Sequence, residues 1–166
     1  MSVSQLLLEE FDAEMASTRK TLERVPNKPD FKPHEKSMPL GRLASHVAEM
    51  AGFGVSVMTT PELDFSKGEY KPLQFESAAQ VLRVFDEGAA KGRAALAGVS
   101  DAAWNEPWKL SFQDKPIFAG SRFLAYREMF LNHLVHHRAQ LGVYLRLTDT
   151  PVPATYGPSA DDRLGF

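Results

Sequence analysis

The apolar positions of the chain fall into four stretches of helical period, separated by segments rich in proline and glycine. From about residue 2 to 25, Leu8, Phe11, Met15, Thr18, Leu22 and Val25 recur every three or four positions, while Glu9, Glu10, Asp12, Glu14, Arg19 and Lys20 take the other faces. That is the pattern of a half-buried helix. Its acids come mostly early and its bases late, as the helix dipole favours. Pro26-Asn27-Lys28-Pro29 ends it and opens a polar loop that carries His34. A second helix is predicted over about 39–58, with Pro39 suited to a first turn where its missing N–H is not needed. Leu40, Ala44, Val47, Ala51, Gly54 and Met58 form one stripe of it, beside a second made of Leu43, His46, Met50, Phe53 and Val57. Ala44, Ala48, Ala51, Gly52 and Gly54 keep its surface low, so neighbouring helices can approach closely.

Thr60 to Glu76 is a connection containing Pro61 and Pro72, long enough to cross the end of a bundle. The third helix, about 77–97, starts at Ser77, which with Gln80 makes a capping box, and stops at Gly98. Its Asp86 and Glu87 are read as a solvated face. Beyond it Trp108, Leu110 and Phe112 alternate, and Gln113-Asp114 separates them from Pro116-Ile117-Phe118, which predicts a small hairpin. Trp104 and Trp108 are expected to plug an end of the core. The fourth helix, about 121–147, shows a stripe of Phe123, Tyr126, Phe130, His133, His137, Leu141 and Tyr144. The tail 148–166 holds Val152, Tyr156, Leu164 and Phe166, too apolar for a free coil, and is expected to pack back on the helices. The predicted architecture is all-α, a four-helix bundle with a long crossover between helices 2 and 3, forming a single domain over 1–166.

Composition narrows what such a bundle can do. At 166 residues the chain can bury a substantial core without a disulfide or a structural metal, so a metal would serve function more than folding. A formal net charge of -2 without a basic run gives no footprint for nucleic acid. Cys 0 removes thiolate ligands and a protein thiol nucleophile, so any metal must be held by nitrogen and oxygen. No apolar run nears the roughly 20 residues that span a bilayer, and the N-terminus lacks a secretory pattern. A cytoplasmic protein without a membrane partner is expected.

The chemistry concentrates in the last helix. His133 and His137 are one turn apart on one face, about 40° from each other, and His136 points roughly 80° away from them. Each buried imidazole needs a partner for both ring nitrogens. The plain alternative is a core histidine bonded to a carbonyl or a carboxylate. Two stacked rings crowd each other unless something between them accepts both lone pairs, which a divalent metal does. His46, inward on the second helix, completes a three-histidine face. Spacing rules out a ferritin-like pair of Glu-x-x-His motifs, because Leu43, Phe130, His133 and Leu134 stand three positions before His46, His133, His136 and His137. No His-Glu-x-x-His motif is present. Glu49 and Gln140, each three residues after a candidate ligand, are expected behind the ligands as hydrogen-bond partners or proton acceptors. His34 or Glu49 could close a fourth coordination position.

The segment Leu43-Ala44-Ser45-His46-Val47-Ala48-Glu49-Met50, the long second connection, His133-x-x-x-His137-Arg138-Ala139-Gln140-Leu141 running into Tyr144-Leu145-Arg146, and Val152-Pro153-Ala154-Thr155-Tyr156-Gly157-Pro158-Ser159-Ala160-Asp161 occur in this order. Together they resemble the DinB family over nearly the whole chain. Many members of that family have Gly where Ala139 stands, a departure that leaves the histidines untouched. The resemblance maps the family's metal triad onto His46, His133 and His137. It implies a divalent ion, commonly nickel or zinc, and frequently a homodimer. A three-histidine ion with an open position suits catalysis. The resemblance favours a transferase that activates a low-molecular-weight thiol such as glutathione, mycothiol or bacillithiol. Hydrolysis by metal hydroxide is the second expectation, and a non-catalytic metal- or ligand-binding stress-response protein is the third.

Overall fold

The computed structural model describes residues 1–68 and 71–163. Ser2 nucleates the first helix, α1 (Val3–Leu22): its hydroxyl accepts from Gln5 N at 3.2 Å, and its own N–H donates to Gln5 Oε1 at 2.8 Å. The helix ends short of the expected residue 25. Arg24 and Val25 close onto the carbonyls of Thr21 and Leu22 as tighter turns before Pro26, and Val25 still joins the core. α2 (Leu40–Thr59) follows Pro39, which is its N-cap. At the start of α3 (Ala78–Ala97), Ser77 Oγ accepts from Gln80 N at 3.1 Å and Gln80 Oε1 accepts from Glu76 N at 3.0 Å, so the expected box forms with its return bond one residue earlier.

The all-α expectation needs correcting. The structure is predominantly helical but carries a three-stranded sheet of β1 (Glu62–Asp64), β2 (Pro107–Phe112) and β3 (Lys115–Ser121). β2 and β3 are the predicted hairpin, antiparallel, turning at Gln113 and Asp114 with φ of 50° and 61°. Two consecutive left-handed residues give the tight turn whose twist matches the strands. β1 comes from the crossover and pairs parallel to β2, Leu63 opposite Leu110. A two-stranded hairpin alone is marginal in water, and the third strand with the apolar surface beneath it supplies what is missing. Three residues show no period from which to foresee it.

The last helix begins as α4 (Arg122–Ala125), with Ser121 Oγ accepting from Leu124 N at 3.2 Å, passes through a π-helical stretch (Tyr126–Asn132), and continues as α5 (His133–Leu147). The wider π turn shifts the phase of the helix. Phe123, placed in the buried stripe by a straight α period, is therefore 39% exposed, while Ala125, Tyr126, Phe130 and Leu131 are buried. α5 buries Leu134, Arg138, Leu141 and Leu145 towards the interior, with His133 and His137 half-buried on the adjoining flank.

α2 packs against α3 and α5, and α1 against α3 and α5. Glycines on both sides permit this: a Cβ on Gly54 of α2 would stand 2.9 Å from the Phe130 ring, and one on Gly88 of α3 would stand 2.9 Å from Gly52 N. Trp104 and Trp108 are both buried as expected, Trp104 donating to Ser4 Oγ at 3.0 Å. The tail 148–163 returns to the helices through buried Pro153 and Ala154 and the ion pair of Arg146 with Asp161 at 2.6 Å. Leu164 and Phe166, expected to take part, lie outside the described residues.

Candidate metal centre

His46 sits on α2 four residues after Arg42, and His133 and His137 form the first turn of α5, so the site is built where these two helices pack. The ring centroids of His46 lie 5.3 Å from His133 and 4.5 Å from His137, and those of His133 and His137 lie 4.6 Å apart. One nitrogen from each ring falls within 4.8 Å of the other two, a group that could hold a metal ion.

The bonds behind the rings decide which nitrogens face inward. His137 Nδ1 lies 2.8 Å from Gln140 Oε1, and His133 Nδ1 lies 3.4 Å from the Met129 carbonyl one turn back. Both partners only accept, so both Nδ1 atoms donate and both Nε2 atoms carry lone pairs. Those two Nε2 atoms face each other at 2.8 Å. Lone pairs that close repel unless a cation lies between them. Burial lowers the pKa of all three imidazoles, with repulsion from neighbouring histidines, His136 among them, adding to it, and pulls His46 down to about 4. Neutral rings are what a metal requires. Nitrogens each about 2.0–2.1 Å from a shared zinc ion, at roughly 90–110°, stand about 2.9–3.4 Å apart. The His133 and His137 nitrogens, 2.8 Å apart, nearly have that spacing, and the group as a whole, within 4.8 Å, fits a divalent ion once the rings draw together.

Of the two polar residues expected behind the ligands, Gln140 lies against His137 as described. Glu49 ties the crossover to α2, its Oε1 accepting from Leu73 N at 2.7 Å and its Oε2 from Arg42 Nη1 at 3.1 Å. His34 is exposed in its loop, accepting from Lys36 N at 3.2 Å, and stands outside the histidine group. His136 is exposed on the flank, its ring 4.9 Å from that of His137. Two participants were not foreseen. Arg42 helps to depress the His46 pKa, and the Met129 carbonyl orients His133. Each is four residues before the histidine it serves, a spacing that could have disclosed both. His46 and His133 also line a cavity of about 740 Å³.

A helical bundle with imidazoles converging beside an open cavity defines the class of protein. Residues 10–141 match the model of a family described as the DinB superfamily, and the chain belongs to that superfamily. No curated protein matches the sequence. Among solved structures, a DinB-like protein from Bacillus cereus is similar at 20% identity, covering 90% of this chain and 95% of its own, with a TM-score of 0.67. A DinB-like protein from Bacillus subtilis is similar at 17% identity over 90% of this chain and 97% of its own, with a TM-score of 0.69. At these identities the likeness establishes the fold. No helix among the described residues is long and apolar enough to cross a membrane.

Proposed function

We propose that this protein is a metal-dependent transferase that joins a low-molecular-weight thiol to an electrophile at His46, His133 and His137. The observation that carries the reading is the pair of acceptor nitrogens on His133 and His137, 2.8 Å apart, held by Gln140 and Met129 beside a cavity large enough for a substrate. A divalent ion bound there, nickel or zinc, supplies a Lewis acid that lowers the pKa of a coordinated thiol. The imidazoles stay neutral because they are desolvated, and Gln140 fixes the tautomer of His137 so that Nε2 is presented inward. The cavity admits the electrophile and limits water. In the reaction the thiolate sulfur forms a bond to carbon, the leaving group departs with its bonding pair, and the thiol proton passes to solvent. Homodimerisation belongs to the same reading, and sedimentation equilibrium measures it.

Purified protein is expected to retain about one equivalent of zinc or nickel by elemental analysis, and His133→Ala to lose it. Metal-loaded protein should couple glutathione, mycothiol or bacillithiol to 1-chloro-2,4-dinitrobenzene with release of chloride. Protein that stays metal-free after incubation with either ion overturns the reading. Ester hydrolysis that needs metal but no thiol moves the assignment to a hydrolase, and metal binding without either activity moves it to a binding protein.

A further inference from the structure

The cavity beside the histidines carries information about what enters it. Its volume of about 740 Å³ lies within the roughly 300–1,000 Å³ of small-molecule sites. Phe53 of α2, Leu63 and Phe65 of the crossover, Leu110 and Ile117 of the sheet, and Met129 of the π-helical stretch make its walls. Phe53 is braced by aromatic neighbours, 6.3 Å from Phe65 and 6.5 Å from Trp108 between centroids, so this surface is fixed before a ligand arrives.

The charged side chains that line it, among the described residues, are Arg42, Glu49 and Asp64, besides the imidazoles of His46 and His133. Arg42 and Glu49 neutralise each other at 3.1 Å. Asp64 Oδ1 accepts from Ser66 N at 2.8 Å and from Ser66 Oγ at 2.6 Å, and Lys67 Nζ stands 3.5 Å from Oδ2. Lys67 is shared with Asp114, also at 3.5 Å, but among the described residues each charge on the wall away from the histidines has an opposite charge within 3.5 Å. An ionic body would lose its hydration there without a partner, whereas an apolar body would release water from both surfaces.

We infer that the acceptor substrate is an uncharged molecule with an apolar body, aromatic or branched aliphatic, seated between α2 and the sheet with its reactive carbon at the histidine end. The position of the reactive carbon rests on the reading proposed above. The nature of the body rests on the cavity alone, and the test separates the two.

Zinc-loaded protein is titrated with N-phenyl-1-naphthylamine, a neutral apolar fluorophore, and with 8-anilinonaphthalene-1-sulfonate, its anionic counterpart. The neutral probe should saturate at one equivalent and bind at least tenfold more tightly than the sulfonate. Ser56 also lines the cavity, and Ser56→Phe should weaken the neutral probe at least tenfold while leaving zinc content and far-UV circular dichroism unchanged. Gly52 is a second lining position, where an added Cβ meets no atom within 4 Å, so Gly52→Leu should act in the same direction should Ser56→Phe fail to fold. His133→Ala should lose zinc and keep the probe. Equal or tighter binding of the sulfonate, or unchanged binding of the neutral probe to a folded cavity variant, overturns the inference. Wild-type protein that takes up no zinc yet gives this probe pattern supports the inference and overturns the reading of the histidines.

Discussion

α5 carries two polar clusters on different faces, one buried and one half-buried, and they are finished to different degrees. Towards α1 and the tail, Arg138 Nη1 meets Glu14 Oε2 at 2.6 Å and donates to the Glu14 carbonyl and to Thr18 Oγ1, each at 3.2 Å. Its Nη2 donates to Tyr156 Oη at 2.7 Å, and Tyr156 Oη donates to Glu14 Oε1 at 2.8 Å. The arginine also lies 5.1 Å from the Tyr156 ring centre. Charge is matched, and the ion pair together with the two hydrogen bonds through Tyr156 closes a ring of partners. Towards α2, one residue away in sequence, His133 and His137 are held from behind but leave two acceptors aimed at each other. A buried polar cluster satisfied by the chain itself is structural; one satisfied on its outer side and left open inside is arranged for something the chain does not contain.

The comparison breaks most visibly if the closed cluster is opened. Glu14→Ala leaves the Arg138 guanidinium, 3% exposed, without its carboxylate. Breaking a buried pair from one side costs about 3–5 kcal/mol, and for a domain of this size that lowers the melting temperature by about 10 °C. The paired change Glu14→Leu with Arg138→Met should recover most of the loss, because apolar groups then fill the space of the ion pair. Differential scanning calorimetry reads both. Zinc affinity of the Glu14→Ala protein should stay within about threefold of wild type by isothermal titration. A collapse of affinity would mean that the two clusters act as one.

The opposite face answers to affinity more than to stability. Gln140→Leu removes the acceptor behind His137 Nδ1 and frees the ring to turn. Losing such an outer partner typically costs about 10–100-fold in metal affinity, which competition with a chromophoric chelator would measure. Because Gln140 is exposed, the melting temperature of the metal-free protein should move by no more than about 2 °C. Unchanged affinity would place the hydrogen bond outside the metal centre's support.

What was legible in the sequence divides along the same lines. His46, His133 and His137 could be brought together from spacing, because four-residue separations on a helix and one inward histidine on a facing helix carry geometric information by themselves. The starts at Ser77 and Ser121 and the turn at Gln113-Asp114 were legible for a similar reason: local chemistry caps a helix or reverses a strand. The closed cluster was not. Arg138 reads as a surface arginine until its partner Glu14, which is remote in the chain, is known to lie beside it. β1 was hidden because three residues have no period, and Phe123 was misplaced because a π-helical stretch is a backbone event that leaves the residue types unchanged. Burial of the histidines on a flank instead of the centre of the stripe follows from that same phase shift.

The smallest effect concerns protons and sharpens the contrast without a substitution of a ligand's partner. Burial holds His46 at about 4, well below the roughly 6.5 of an unfolded histidine, and shifts His133 and His137 in the same direction. For bases with lowered folded pKa, the unfolded chain binds more protons as the pH falls, so stability is complete above about 6.5 and is lost on the way down towards 4. Asp64, held near 2 chiefly by its Ser66 hydrogen bonds, loses its contribution only below the ordinary carboxylate range, under the histidine window. Chelator-treated protein should therefore weaken by about 1–2 kcal/mol between pH 7 and 4.5, a figure reduced for the partial exposure of the rings. Urea unfolding at several pH values measures it. His46→Leu should flatten the slope of the metal-free protein, since the most strongly shifted base is gone. A slope that survives that substitution would assign the proton uptake to groups other than His46, and a slope that also survives loss of His133 and His137 would leave the open cluster no more sensitive to acid than the closed one.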